Sequence, residues 1–170
     1  HIQIAETALR EMKLDRIMLL PAGDPPHKAH PTPKADRWRM AQLAAETVTG
    51  MFACGVEIGR TGTTYTVDTL RDLHICNPNT QWYYLIGADT LDVLDSWRCF
   101  DQVAKMCTFV VAGRGDEPAS AERMAYLADR YGARFEVLSV SGPEISSSDI
   151  RSRTASGQDI RGLVPENVRM

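Results

Sequence analysis

Chemistry-bearing side chains in this 170-residue chain gather in short polar stretches, most of which follow apolar runs. The densest is Ile145-Ser146-Ser147-Ser148-Asp149-Ile150-Arg151. A β-branched run over 137–140 leads to it through Gly142 and Pro143, and an amphipathic segment follows. Strand, turn, hydroxyls and helix in that order set small donors at a helix N-terminus. There the unpaired N–H groups and the positive dipole end favour an anion. Arg151, one turn in, adds a fixed charge that can fork onto phosphate oxygens. Taken alone, the stretch is explained more simply by Ser147 or Ser148 capping the helix.

Other stretches carry the same kind of chemistry. His27 and Lys28 follow Pro25 and Pro26, which hold them in a nearly fixed direction, although a solvated basic loop reads equally well. The turn over 60–66 is rich in hydroxyls and ends in Thr64-Tyr65-Thr66. It either caps the following helix through Thr64 or Thr66 or aims that helix at a ligand. Gly87-Ala88-Asp89 closes a strand; the glycine permits close backbone approach and the aspartate can accept ribose hydroxyls. A turn glycine with a capping aspartate is the simpler alternative. Trp97 is either a core aromatic or a platform for a heterocycle. Arg114 sits between two glycines after another apolar run.

The elements that must position these residues alternate along the chain. Helical stripes run through Ile2, Ala5, Ala8, Leu9 and Met12, from Asp36 to Val48, and through Val67, Leu70, Leu73 and Ile75. Further helix is predicted over 89–106, interrupted near Trp97, and over 119–131. Strands are predicted over 16–20, 52–58, 81–86, 108–112 and 135–140. Alternation of this kind calls for a three-layer α/β fold, Rossmann-like, with a parallel sheet and helices on both faces. Most of the polar stretches would gather at the carboxyl edge of that sheet, where such folds bind nucleotides.

Composition narrows the classes. With 44% hydrophobic and 24% charged residues the chain reads as one ordinary globular domain. A net charge of −3 argues against a broad nucleic-acid face or a polybasic membrane patch. No apolar run approaches the roughly 20 residues of a membrane span. The four cysteines, Cys54, Cys76, Cys99 and Cys107, form no metal-ligand spacing. They read as reduced core or near-core thiols of a cytoplasmic protein.

Taken together, these residues resemble a known family. The serine stretch resembles the second signature of the histidine-x-glycine-histidine nucleotidyltransferases, and His1 resembles the final histidine of their first. Pro25-Pro26-His27-Lys28, the run from Thr64 to Leu70, Ile86-Gly87-Ala88-Asp89 and Trp97 together resemble bacterial nicotinate-nucleotide adenylyltransferases, in order from His1 to Pro165. That resemblance implies adenylyl transfer from ATP, with Mg²⁺ carried on it, to nicotinate mononucleotide, giving deamido-NAD and pyrophosphate in NAD synthesis. By position, His1 would contact the reacting phosphate, and Ser147, Ser148 and Arg151 would hold the ATP phosphates. Gly87 and Asp89 would face the adenosine. Tyr65, Thr66 and Trp97 would form the pyridine pocket. His27, Lys28 and, more weakly, Arg114 would attend the phosphates. No nucleic acid, membrane or protein-held metal is implied, and a homo-oligomer is compatible. The alternatives are a pantetheine-phosphate adenylyltransferase, which shares the serine stretch, and a nucleotide-binding module without the reaction. The family also carries a strand and a glycine–phenylalanine–aspartate–proline loop ahead of the position of His1, neither of which is in these residues. That strand lies mid-sheet in the family, so an N-terminally truncated domain spanning 1–170 is expected.

Overall fold

The run Thr108-Phe109-Val110-Val111-Ala112 is buried at every position, as a strand covered on both faces must be. The computed structural model describes residues 1–25, 32–113, 119–139 and 145–169. In chain order the elements are α1 (Ile2–Glu11), β1 (Ile17–Leu19), α2 (Lys34–Ala45), β2 (Met51–Ala53), α3 (Thr66–Cys76) and β3 (Tyr83–Gly87). A 3₁₀ segment, Ala88–Ser96, follows, then α4 (Phe100–Met106), β4 (Thr108–Ala112), α5 (Ala121–Tyr131), β5 (Arg134–Val137), α6 (Ser147–Ala155) and α7 (Glu166–Arg169).

All strand pairing is parallel, in agreement with the alternating pattern. β4 is central to one sheet, flanked by β3 (Tyr83 opposite Thr108) and β5 (Thr108 opposite Arg134). β1 and β2 pair separately, Ile17 opposite Met51. Among the described residues the strands thus form two parallel sheets where one was expected.

The period of two along β4 divides the core. Phe109 and Val111 join Val67, Leu70, Phe100, Val103 and Leu127 from α3, α4 and α5. Val110 and Ala112 face the other way and pack with Ala8 of α1 and Leu138. Helices therefore cover both faces, as the three-layer reading requires. α1 serves both sheets: Ala8 packs on β4, while Ala5, less than a turn away, packs with Ala45 and Met51 of the smaller sheet. Alanine side chains allow that double close approach.

Several expectations need correction. The strand over 52–58 is only Met51–Ala53, because the chain turns at Gly55 under the Trp38 ring, 3.5 Å from where a β-carbon would stand. The last strand is Arg134–Val137. The helix over 89–106 is interrupted at Trp97 as expected, where Trp97 is extended and Cys99 takes a left-handed φ of +53° before α4, but its first part is 3₁₀. α6 buries none of its residues, so the amphipathic reading after the serines does not hold. Only Cys107 is a core thiol, its pKa pushed up to about 12 chiefly by burial; Cys54 is half-buried, and Cys76 and Cys99 are exposed. No helix among the described residues is long and apolar enough to cross a membrane.

Candidate active site

A cavity of about 1890 Å³ is walled by β1 and the loop after it, by β3, and by the start of α3 with the turn at Trp97. His1, Tyr65, Thr66, Gly87 and Trp97 all contribute to that wall. Five residues singled out in the sequence, distant along the chain, are thereby brought to one space. His1 precedes the first turn of α1, its carbonyl accepting from Ala5 N at 2.9 Å. The Asp89 carboxylate folds back over Gly87, where a β-carbon would meet it at 2.5 Å.

The wall from Tyr65 to Trp97 is largely aromatic. Tyr65 is the extended residue before α3, and no side chain caps that helix, so neither Thr64 nor Thr66 is an N-cap. The Thr66 side chain instead hydrogen-bonds Tyr84, whose hydroxyl is pushed above the ordinary tyrosine range mainly by burial. Thr64 belongs to the cavity wall and is 7% exposed; its hydroxyl is buried and has no partner among the described residues. Trp97 meets the Tyr84 ring edge-on, with centroids 5.6 Å apart and planes at 72°. That contact fixes its indole at the rim. The Arg98 guanidinium carbon lies 4.5 Å from the centre of the Tyr65 ring.

Beneath this wall a buried carboxylate ties the parts together. Glu57, 9% exposed, accepts from Gly23 N at 3.1 Å and from the Thr69 hydroxyl at 2.7 Å. Arg60 donates to Thr69 Oγ1 at 2.7 Å and pairs with Asp72. The loop after β1 is thus bonded to α3. It is held again from α2, where Arg37 donates to the carbonyls of Ala22 and Gly23, the latter at 2.7 Å. Lys34 pairs with Asp24 at 2.9 Å, and the Asp24 carbonyl accepts from Thr64 N at 3.1 Å. Gly23 has no room for a side chain: a β-carbon would stand 2.5 Å from the Glu57 carbonyl and from the Thr64 methyl.

The serine stretch stands apart. Ser146 caps α6, its hydroxyl accepting from Ser148 N at 3.2 Å, so the cap is one residue earlier than expected. Ser147, Ser148 and Arg151 are exposed, with Arg151 donating to the Ser148 hydroxyl at 3.3 Å. The structure brings these last two together but does not place them in the cavity wall. His27, Lys28 and Arg114 lie outside the described residues. No group of three or more His, Cys, Asp or Glu that could hold a metal occurs among the described residues.

Sequence reasoning passed over Glu57, Arg37, Arg60 and Arg98. Glu57 carried no signal, and Arg60 only its place at the start of the hydroxyl-rich turn. Arg37 and Arg98 carried none beyond adjacency to tryptophans.

Comparison with known proteins completes the description. Residues 1–153 match the model of a family described as cytidylyltransferase-like. A protein of Synechococcus sp. (strain JA-2-3B'a(2-13)) named "Probable nicotinate-nucleotide adenylyltransferase" is 39% identical over 171 residues, covering 99% of this chain and 84% of that protein. A Thermoanaerobacter sp. (strain X514) protein of the same name is 37% identical, with 99% and 82% covered. The solved Plasmodium falciparum nicotinic acid mononucleotide adenylyltransferase complexed with NaAD superposes with a TM-score of 0.76 at 16% identity. It covers 95% of this chain and 80% of its own, which is a likeness of fold.

Proposed function

The chain belongs to the cytidylyltransferase-like family, and from that premise we propose that it transfers the adenylyl group of ATP to nicotinate mononucleotide. Products are deamido-NAD and pyrophosphate, and the reaction serves NAD biosynthesis. One observation carries the reading: Tyr65, Thr66, Trp97, Gly87 and His1 share the wall of one cavity in a chain with near full-length kinship to relatives of that name.

The chemistry asks little of the side chains. An oxygen of the acceptor's phosphate attacks the α-phosphorus of ATP, and the bond from that phosphorus to the β-phosphate oxygen breaks. Pyrophosphate leaves with the electron pair. The nucleophile is already anionic, so no general base is needed; alignment and charge stabilisation supply the rate. His1, at the cavity wall, would meet the reacting phosphate. The aromatic wall would seat the pyridine ring against Trp97, and Gly87 with Asp89 would face the adenosine. Ser147, Ser148 and Arg151 would hold the triphosphate with His27, Lys28 and Arg114. Mg²⁺ would enter as the ATP complex, as part of the substrate.

The test is pyrophosphate release from MgATP with nicotinate mononucleotide, nicotinamide mononucleotide or phosphopantetheine as acceptor. Release with nicotinate mononucleotide is expected. Release with phosphopantetheine alone would move the protein to the pantetheine-phosphate branch of the superfamily. ATP binding without release from a folded protein would leave a nucleotide-binding module.

A further inference from the structure

Arg98 has no role in the reading so far, yet it stands in the same cavity wall as Tyr65, Thr66 and Trp97. Its guanidinium lies over the Tyr65 ring, 4.5 Å from the centroid. That stacking on an aromatic neighbour restrains a long side chain that would otherwise sweep solvent. Its charge is also unspent: Arg98 forms no ion pair among the described residues. The nearest acid it senses, Asp68, is paired with Arg71 at 2.9 Å. Among the described residues the other lysine and arginine of the cavity wall, Lys13 and Arg16, belong to the turn before β1. At the pyridine end the wall therefore presents a stacked, unpaired guanidinium beside an uncapped helix start. The unpartnered Thr64 hydroxyl is one residue from Tyr65.

We propose that Arg98 is a specificity-determining residue, whose guanidinium selects a pyridine mononucleotide bearing an anionic carboxylate over one bearing a neutral carboxamide. The proposal deepens the function argued above and rests on it. The two acceptors differ in one substituent atom, an anionic oxygen against an NH₂. A guanidinium has donors only, so it gains a charge-assisted bond to either oxygen of the carboxylate. Toward the carboxamide it has one neutral oxygen to meet and a second donor to avoid. A site that reads charge rejects the uncharged analogue more strongly than shape can. Because Arg98 is exposed, salt screens part of the effect, and discrimination of about tenfold is expected.

The experiment compares kcat/KM for nicotinate and nicotinamide mononucleotides, at saturating MgATP, in the wild type, Arg98→Gln and Arg98→Lys. Circular dichroism and thermal melting check that each variant is folded. Arg98→Gln should lower kcat/KM for the nicotinate acceptor about tenfold and leave the nicotinamide acceptor unchanged, while Arg98→Lys should restore most of the loss. Added salt should shrink the wild-type preference but not that of Arg98→Gln. A parallel loss on both acceptors, or an unchanged ratio, overturns the proposal and leaves selection to the backbone amides at Thr66. Quenching of tryptophan fluorescence by each mononucleotide gives a second readout that needs no turnover. If the wild type transfers adenylyl to neither acceptor, the proposed function fails, and the binding ratio then decides on Arg98 alone. Equal affinities of wild type and Arg98→Gln for nicotinate mononucleotide would sink it.

Discussion

At the scale of single residues, Glu57 concentrates more structural consequence than any group singled out in the sequence. Its carboxylate satisfies a loop amide and a helix hydroxyl in a buried place. Glu57→Ala leaves the Gly23 amide without its acceptor and the Thr69 hydroxyl with only a 3.4 Å bond to the Tyr65 carbonyl, and should cost about 2–3 kcal/mol in urea denaturation, with Glu57→Gln costing less. The four cysteines offer a second check at this scale. Thiol-reactive dye at neutral pH should label Cys76 and Cys99 quickly and Cys54 slowly, and Cys107 only on unfolding. Fast labelling of Cys107 in the native protein would contradict its buried, protonated state. These residues also show where a sequence is mute. Tyr65, Thr66 and Trp97 were singled out through the resemblance of the run from Thr64 to Leu70 and of Trp97 to the family. Their residue types alone left a helix cap and a core aromatic as the simpler readings. Glu57 looked like any surface glutamate, because its burial is created by α3 and the loop after β1 folding over it. Cysteine exposure failed for the same reason, since apolar neighbours in sequence do not decide which way a thiol points.

At the scale of elements, short apolar runs with clear punctuation were readable, and their ends were not. β4 was legible to the residue, being a β-branched run buried on both faces. The strand at Met51–Ala53 was overextended because nothing in the sequence shows that Trp38 covers Gly55 and turns the chain. α6 was misread for a related reason: Ile150 suggested an apolar face, but no neighbour packs on it closely enough to bury it. One tie between elements is sensitive to pH. Glu11, near the end of α1, accepts from Ser139 N at 3.0 Å and from the Ser139 hydroxyl, beyond β5. These bonds hold its carboxyl below the ordinary 4.5. A depressed folded-state pKa means the tie is fully stabilising above that ordinary value and is lost as pH falls through the lower one. Stability of wild type and Glu11→Gln should therefore converge in acid, separate as pH rises toward 4.5 and keep a constant gap above it, as followed by denaturation midpoints. A constant offset across that range would show that the tie does not titrate.

At the scale of the whole molecule, the larger core is a single aromatic-rich body and the rest of the chain leans on it. Phe109 is wholly buried, stacked on Phe135 at 5.6 Å and close to Phe100 and Tyr84. Phe109→Ala should destabilise the protein by about 3–5 kcal/mol in chemical denaturation, and amide exchange along β4 should be the slowest in the chain. The parallel α/β architecture was legible because alternation and right-handed crossovers leave few arrangements. Among the described residues the strands fall into two parallel sheets, and α1 packs on both.

That division gives α1 an office beyond packing. Ala5 packs with Met51 of β2 and Ala8 with Val110 and Ala112 of β4, so two methyl side chains let one helix approach both sheets closely. The cavity is walled by both sheets and by the first turns of the same helix. Ala5 packs on Met51 and lines the cavity at once, so a larger side chain there meets both a core contact and the space where a ligand would sit.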